Sequence, residues 1–148
     1  MKERTPFALF FIDLNKFKVV NDTYGHDVGD KVLQEAASRL THAIGNDDFI
    51  ARLGGDEFVI ITKRKKVFLK KFVESIETNV IGKHVINGIT VPISLSIGIS
   101  IFPDDSPDEM MLSKHADEAM YMAKKKEDTY YQFYSDTVEE VPKSKNWI

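Results

Sequence analysis

Two adjacent carboxylates, Asp56 and Glu57, follow directly on two glycines, Gly54 and Gly55, and a third, Asp13, closes an apolar run near the N-terminus. Glycine can take positive φ and lets a ligand come close to the backbone, while acids gathered at a turn attract hard cations such as Mg²⁺. The chemistry open to such a group is the holding of a metal-bound phosphate. Taken alone, the string Gly-Gly-Asp-Glu reads equally well as an ordinary solvated hairpin turn, because glycine and aspartate are common turn residues.

The elements around these residues decide how they can be placed. Residues 48–52 form a β-like run into the glycines and residues 58–61 (Phe-Val-Ile-Ile) a second run out of them, the pattern of a hairpin with the acids at its turn. Phe7 to Ile12 is almost wholly apolar, as in a central strand buried on both faces, and its end delivers Asp13 to the rim of a sheet. If the hairpin pairs beside that strand, three carboxylates surround one point. Residues 13–30 read as a polar, glycine-punctuated connection rich in chemically capable side chains.

From Asp30 the spacing predicts a helix, with Leu33, Ala36, Ala37, Leu40 and Ile44 on one face and Gly45 as its stop. A second helix is expected over 63–80, with Leu69, Phe72, Val73, Ile76 and Val80 facing inward. Its lysines (Lys63, Lys65, Lys66, Lys70, Lys71) read as a solvated face and receive no function. Asn87-Gly88 predicts a type I′ hairpin turn, followed by two strands. The second, Ser94 to Ile101, alternates large residues with ones small enough to pack under something close. Ser106-Pro107-Asp108-Glu109 then reads as a helix start with Ser106 as N-cap. That helix should run to about Lys126, with a small-residue inner face of Leu112, Ala116, Ala119 and Ala123 lying tight on the sheet. A last strand is expected over 130–134, then a linker-like tail over 135–148.

The chain has 148 residues, 43% of them hydrophobic, enough for one good core and too few for two ordinary domains. Its 20 basic and 23 acidic residues give a net charge of −3, which offers no general footprint for a nucleic-acid polymer or an anionic membrane. No membrane contact by this domain is expected, and with no signal-like segment and no cysteine a cytoplasmic setting is. Without cysteine, disulfides and thiolate metal sites are excluded.

Along nearly its whole length the chain resembles the GGDEF family of diguanylate cyclases. Gly54-Gly55-Asp56-Glu57-Phe58 is the family signature. Asp13-x-x-x-Phe17-Lys18, Asn21-Asp22-x-x-Gly25-His26-x-x-Gly29-Asp30, Ser96-Ile97-Gly98-Ile99 and Ala116-Asp117-x-Ala119-x-Tyr121-x-Ala123-Lys124 stand in the family's order and spacing. The resemblance implies an α/β (α+β) domain over 1–134, with a mainly antiparallel sheet of about five strands flanked by helices, as in nucleotide cyclases and polymerase palms. It also implies an activity: two GTP molecules condense to cyclic di-GMP with release of two pyrophosphates, each 3′-hydroxyl attacking the α-phosphate of the other nucleotide. Each protomer of a homodimer would hold one GTP.

By the same resemblance, Mg²⁺ or Mn²⁺, two per site, would be held by Asp13, the carbonyl of Leu14 and Asp56, with Glu57 toward the second. Asp56 or Glu57 would help deprotonate the hydroxyl. Asn21, His26 and Asp30 would recognise guanine, since a carboxylate accepts from both N1 and N2 of that base and adenine presents no such pair. Gly54 and Gly55 would lie against the substrate, with Lys18 and Lys124 on the phosphates. Alone, Asn21 reads as a turn residue, His26 as a loop-stabilising hydrogen-bonding group and each lysine as solvated.

Several positions depart from the family pattern. Asp128 stands where an arginine usually helps hold the terminal phosphates, and Lys125 or Lys126 is the candidate substitute. Asn15 replaces the second acid of Asp-x-Asp, and Gly45 replaces the arginine of a product-inhibition motif whose aspartate is Asp48, so inhibition through that motif is not expected. Residues 1–6 contain nothing like the helix that usually precedes the first strand, which suggests a piece of a longer chain with sensory or effector domains. These departures keep open a second expectation, a catalytically weak or inactive GTP-binding regulatory domain attached to a phosphodiesterase or sensor.

Overall fold

A computed structural model describes residues 5–126 and 128–137. Strand β1 (Phe7–Leu14) is the centre of a five-stranded sheet. On one side it pairs antiparallel with β3 (Glu57–Thr62), itself the partner of edge strand β2 (Phe49–Gly54). On the other side it pairs antiparallel with β6 (Leu95–Phe102), which carries β7 (Tyr131–Phe133) in parallel at the far edge. The mixed, mainly antiparallel sheet flanked by helices agrees with the expected fold.

The pleat of β1 sends alternate side chains to two cores. Phe10, Ile12 and Leu14 join Val20, Val28, Val32, Leu40, Phe72, Val73 and Ile76 from α1 (Phe17–Tyr24), α2 (His26–Ala43) and α3 (Leu69–Val80). Leu9 joins Val59, Phe102, Leu112 and Ala116 beneath α4 (Glu109–Lys125). In β6 the large residues Leu95, Ile97, Ile99 and Ile101 lie in the first core. The small residues between them make room for α4, as the alternation predicts. A Cβ on Gly98 would fall 2.0 Å from the carbonyl oxygen of Ala116 and 2.2 Å from the amide nitrogen of Met120, so only glycine permits this approach.

Several expectations are corrected. The connection after Asp13 is two helices, α1 and α2, and Asp30 lies inside α2. Buried Val20, Val28 and Val32 anchor them, at a helical spacing that the polar residues and Gly25 obscure. The helix expected from Lys63 begins at Leu69, after a 3-10 turn over Lys66–Phe68. The N-cap of α4 is Asp108, whose Oδ1 accepts from the Met110 amide at 2.9 Å. Ser106 instead bonds the backbone of Asp108, which leaves Pro107 outside the helix. Asn87 (φ 52°) and Gly88 (φ 78°) make the expected hairpin turn, but its strands β4 (Gly82–Ile86) and β5 (Ile89–Ile93) form a separate two-stranded sheet. Packing also continues past Tyr134: residues 134–137 form a helical turn in which Thr137 is buried, so the tail does not begin at Ser135. The expected linker over 138–148 lies outside the described residues.

Candidate functional site

The ladder between β1 and β3 puts Asp13 directly opposite Glu57. Residues opposed in an antiparallel pair project from the same face. The turn between β2 and β3 is held by Arg52, whose Nε donates to the carbonyl of Gly55 at 2.9 Å, while Gly55 takes φ 53°. Pairing shifts between Arg52 and Gly54, which leaves Leu53 exposed. The turn is pinned to the central strand by the Leu14 amide, which donates to the Asp56 carbonyl at 3.1 Å. Asp13, Leu14, Gly54, Gly55, Asp56 and Glu57 are thus gathered at one end of the sheet, as their expected strand pairing requires.

Asp13 is 6% exposed. Its Oδ2 accepts from the ammonium of Lys124, which reaches over from the last turn of α4. Its Oδ1 is buried with no hydrogen-bond partner among the described residues. Burial pushes Asp13 above the usual carboxylate range; the Lys124 ammonium pulls against that rise and the neighbouring Asp56 carboxylate adds to it. A buried, unsatisfied carboxylate oxygen beside a second carboxylate is a poor arrangement for two anions and a good one for an added cation. The expected convergence of three carboxylates on one point is not found: among the described residues no three acidic or imidazole side chains gather closely enough to hold an ion. Lys124 occupies Oδ2 of Asp13, and the carboxylate of Asp56 is a neighbouring anion that raises its pKa.

The β1–α1 turn passes through Lys16 in the left-handed region (φ 57°), and α1 starts with no side-chain cap. Its first-turn amides, those of Phe17 and exposed Lys18 among them, receive no side-chain cap. Asn21 lies in α1 with its side chain against Gly29 of α2, where a Cβ would fall 1.8 Å from its Oδ1. His26, at the start of α2, is exposed and makes no hydrogen bond among the described residues, so the loop-stabilising role is not seen.

Asp30 is exposed on α2 and borders a cavity of about 240 Å³ with Leu33, Gln34, Ala37 and Arg52. Leu33 and Arg52 were not anticipated here. Leu33 reads as core, and Arg52 merely as the end of a strand; its place beside the glycines was the available signal. A larger cavity of about 590 Å³ lies along α1, lined by Asn15, Lys16, Val19, Thr23, Pro92 and Lys124 among others. It shares no residue with the cavity at Asp30 and includes none of Asp13, Asp56 and Glu57, so size does not make it the reactive centre.

The departures acquire definite positions. Asn15 is engaged at both ends of its amide, donating to Ser94 Oγ and accepting from Ser96 Oγ, each at 2.7 Å. It ties the end of β1 to β6. Lys125 lies over the Tyr121 ring at 4.5 Å and Lys126 donates to Gln132 Oε1 at 2.9 Å, so neither is held in reserve for a ligand. Gly45 removes one guanidinium beside Asp48, but Arg64 supplies another, at 2.8 Å from Asp48 Oδ2.

The family model for "Diguanylate cyclase, GGDEF domain" matches residues 1–129. The signaling protein YkoW of Bacillus subtilis is 43% identical over 138 residues, covering 88% of this chain and 17% of that protein. The bifunctional diguanylate cyclase/cyclic di-GMP phosphodiesterase MucR of Pseudomonas aeruginosa is 39% identical over 139 residues, covering 93% of this chain and 20% of that protein. Among solved structures, the GGDEF domain of YfiN (TpbB) from Pseudomonas aeruginosa superposes with a TM-score of 0.83 at 33% identity, covering 88% of this chain and 83% of that one. The chain spans a fifth or less of the length of these two curated relatives.

Proposed function

Because the chain belongs to the GGDEF domain family of diguanylate cyclases, we propose that it binds GTP at the Asp13 end of the sheet and, as a homodimer, condenses two GTP into cyclic di-GMP and two pyrophosphates. The observation that carries this reading is the buried, unpartnered Oδ1 of Asp13 beside Asp56. Asp13, the Leu14 carbonyl and Asp56 would hold a Mg²⁺ or Mn²⁺ ion, with Glu57 toward a second. Two protein carboxylates are enough, because Mg²⁺ keeps waters and takes substrate phosphate oxygens for its remaining positions. Such ions neutralise phosphate charge and make a nearby hydroxyl more acidic.

The chain's own groups would do the positioning on which phosphoryl transfer depends. Asp30 accepts from N1 and N2 of guanine at the cavity it shares with Leu33 and Arg52. Asn21 and His26 border the same helix pair. The uncapped amides of α1 and the ammonium of Lys18 meet phosphate oxygens. Lys124 balances the charge of Asp13; with a cation held at that carboxylate, its ammonium would be available to a terminal phosphate. Asp56 or Glu57 receives the proton of the attacking hydroxyl. A cytoplasmic location, where GTP is available, belongs to the same reading, as do sensory or effector domains in a longer parent chain. Among the described residues no helix is long and apolar enough to cross a membrane.

A second reading is supported by the phosphate-side departures. With Asp128 in place of an arginine, and Lys125 and Lys126 engaged elsewhere, the triphosphate loses a charge-assisted contact of about 1.5–3 kcal/mol. The domain would then bind GTP and regulate a neighbouring phosphodiesterase or sensor with little turnover of its own. Incubating the concentrated protein with GTP and Mg²⁺ or Mn²⁺, then separating nucleotides by chromatography, decides between them. Cyclic di-GMP with pyrophosphate supports the cyclase. Metal-dependent GTP binding without product supports the regulatory module, and neither binding nor product overturns both.

A further inference from the structure

Sequence pattern treats the lysines of residues 63–71 as the solvated face of one helix, and the structure divides that stretch. Residues 63–65 are extended loop, Lys66–Phe68 is a 3-10 turn and only at Leu69 does α3 begin. Leu69 is buried, but Val67 and Phe68 are turned outward, 77% and 57% exposed. Around them, six of nine residues (Lys63, Arg64, Lys65, Lys66, Lys70, Lys71) are basic and none is acidic, in a chain whose net charge is −3. Arg64 is committed to Asp48 and to the face of Phe72, 4.1 Å from its ring centre, and Lys66 pairs with Asp104 at 3.3 Å. Lys63, Lys65, Lys70 and Lys71 have no ion-pair partner among the described residues.

We infer that this projecting turn docks the domain on an anionic lipid surface, with Val67 and Phe68 entering the interface and the four free lysines lying among acidic headgroups. Val67 and Phe68 and the lysines that flank them in sequence, Lys63, Lys65, Lys70 and Lys71, are all exposed, so apolar tip and cations are presented together on this turn and its two ends. Apolar side chains ringed by lysines suit the boundary of a bilayer, where the hydrocarbon stems are buried and the ammonium groups stay with the headgroups. A diffuse anionic surface fits better than an acidic protein partner. Carboxylate recognition favours the planar fork of arginine, and the stretch's one arginine is already spent on Asp48, leaving lysine point charges.

The placement is compatible with the site. Thr62, just ahead of the turn, pairs with Ala8, while Glu57 pairs with Asp13. Five residues of strand, about 17 Å at the usual rise, separate the two ends of the sheet. Docking at the lysine turn leaves the carboxylate end facing solvent. The expectation of no membrane contact rests on balanced overall charge, an average that hides the run of cations over residues 63–71.

Sedimentation of the full 148-residue chain with vesicles tests this, using phosphatidylcholine alone and phosphatidylcholine mixed with phosphatidylglycerol. Binding to the mixed vesicles only, weakened by added salt, is expected. Replacing Lys63, Lys65, Lys70 and Lys71 together by Gln should weaken binding by about fivefold for each charge removed. The pair V67S and F68S should remove the part of binding that survives high salt, and thermal melting by circular dichroism verifies that each variant is folded. No binding to the acidic vesicles, or binding unchanged in the folded lysine variant, overturns the proposal. So does binding to soluble polyglutamate without binding to vesicles, which would assign the surface to an acidic polypeptide.

Discussion

The ammonium of Lys124, in the last turn of α4, lies against Oδ2 of Asp13 at the end of the central strand, joining residues 111 positions apart. It is the one ion pair among the described residues that links the carboxylate end of the sheet to the helix beneath it. K124A leaves a buried carboxylate without its counter-charge, which costs about 1–2 kcal/mol for a pair open to solvent on the lysine side. Added Mg²⁺ should raise the melting temperature of this variant more than that of the unsubstituted protein, because an ion replaces the missing charge. Equal shifts in the two proteins would remove Asp13 from the metal set.

D56A should abolish cyclic di-GMP synthesis while leaving the fold intact, since Asp56 is half-buried at a turn that its backbone, through the Leu14 amide, already pins. Product chromatography checks this. Undiminished synthesis in the variant would sink the proposed mechanism.

Asp30 separates binding from stability. Being exposed, it should tolerate replacement by Ala within about 0.5 kcal/mol of folding free energy. GTP affinity should fall about tenfold to a hundredfold, the worth of a hydrogen-bonded charge. Calorimetric titration with GTP and with ATP would show the loss for GTP and little change for ATP.

G98A places a methyl group against the backbone of α4, which has no flexible end to move aside. A loss of about 3 kcal/mol is expected in urea denaturation, the upper part of the range for an overpacked core. Because α4 also carries Lys124, GTP binding should weaken with it.

Asp48 supplies the pH prediction. Burial works to raise its pKa, but hydrogen bonds from Thr62 Oγ1, the Gly45 amide and Arg64, with the charge of Arg64, outweigh that and hold it below the usual range. The unfolded chain therefore takes up the proton first. The stabilisation is fully present above the ordinary aspartate value of about 3.9 and is lost as pH falls through the lower folded value. D48N should lower stability near neutrality and flatten its dependence in that acid window, measured by denaturant titration at a series of pH values.

Legibility followed the range of the interactions involved. The hairpin at Gly54-Gly55, the apolar strand ending in Asp13, the small-residue side of β6 and the inner face of α4 are local periodicities, and sequence alone determined them because side-chain alternation and turn chemistry act over a few residues. The start of α1, the split of residues 63–71 and the cap at Asp108 were not readable, since polar residues and competing caps obscure the helical period there. Tertiary structure alone decided that Lys124 holds Asp13, that Asn15 is spent on Ser94 and Ser96, that Arg64 stands beside Asp48 and that Val67 and Phe68 face outward. Each depends on which distant strand or helix lies alongside, and that is set by the pairing and packing of the whole sheet.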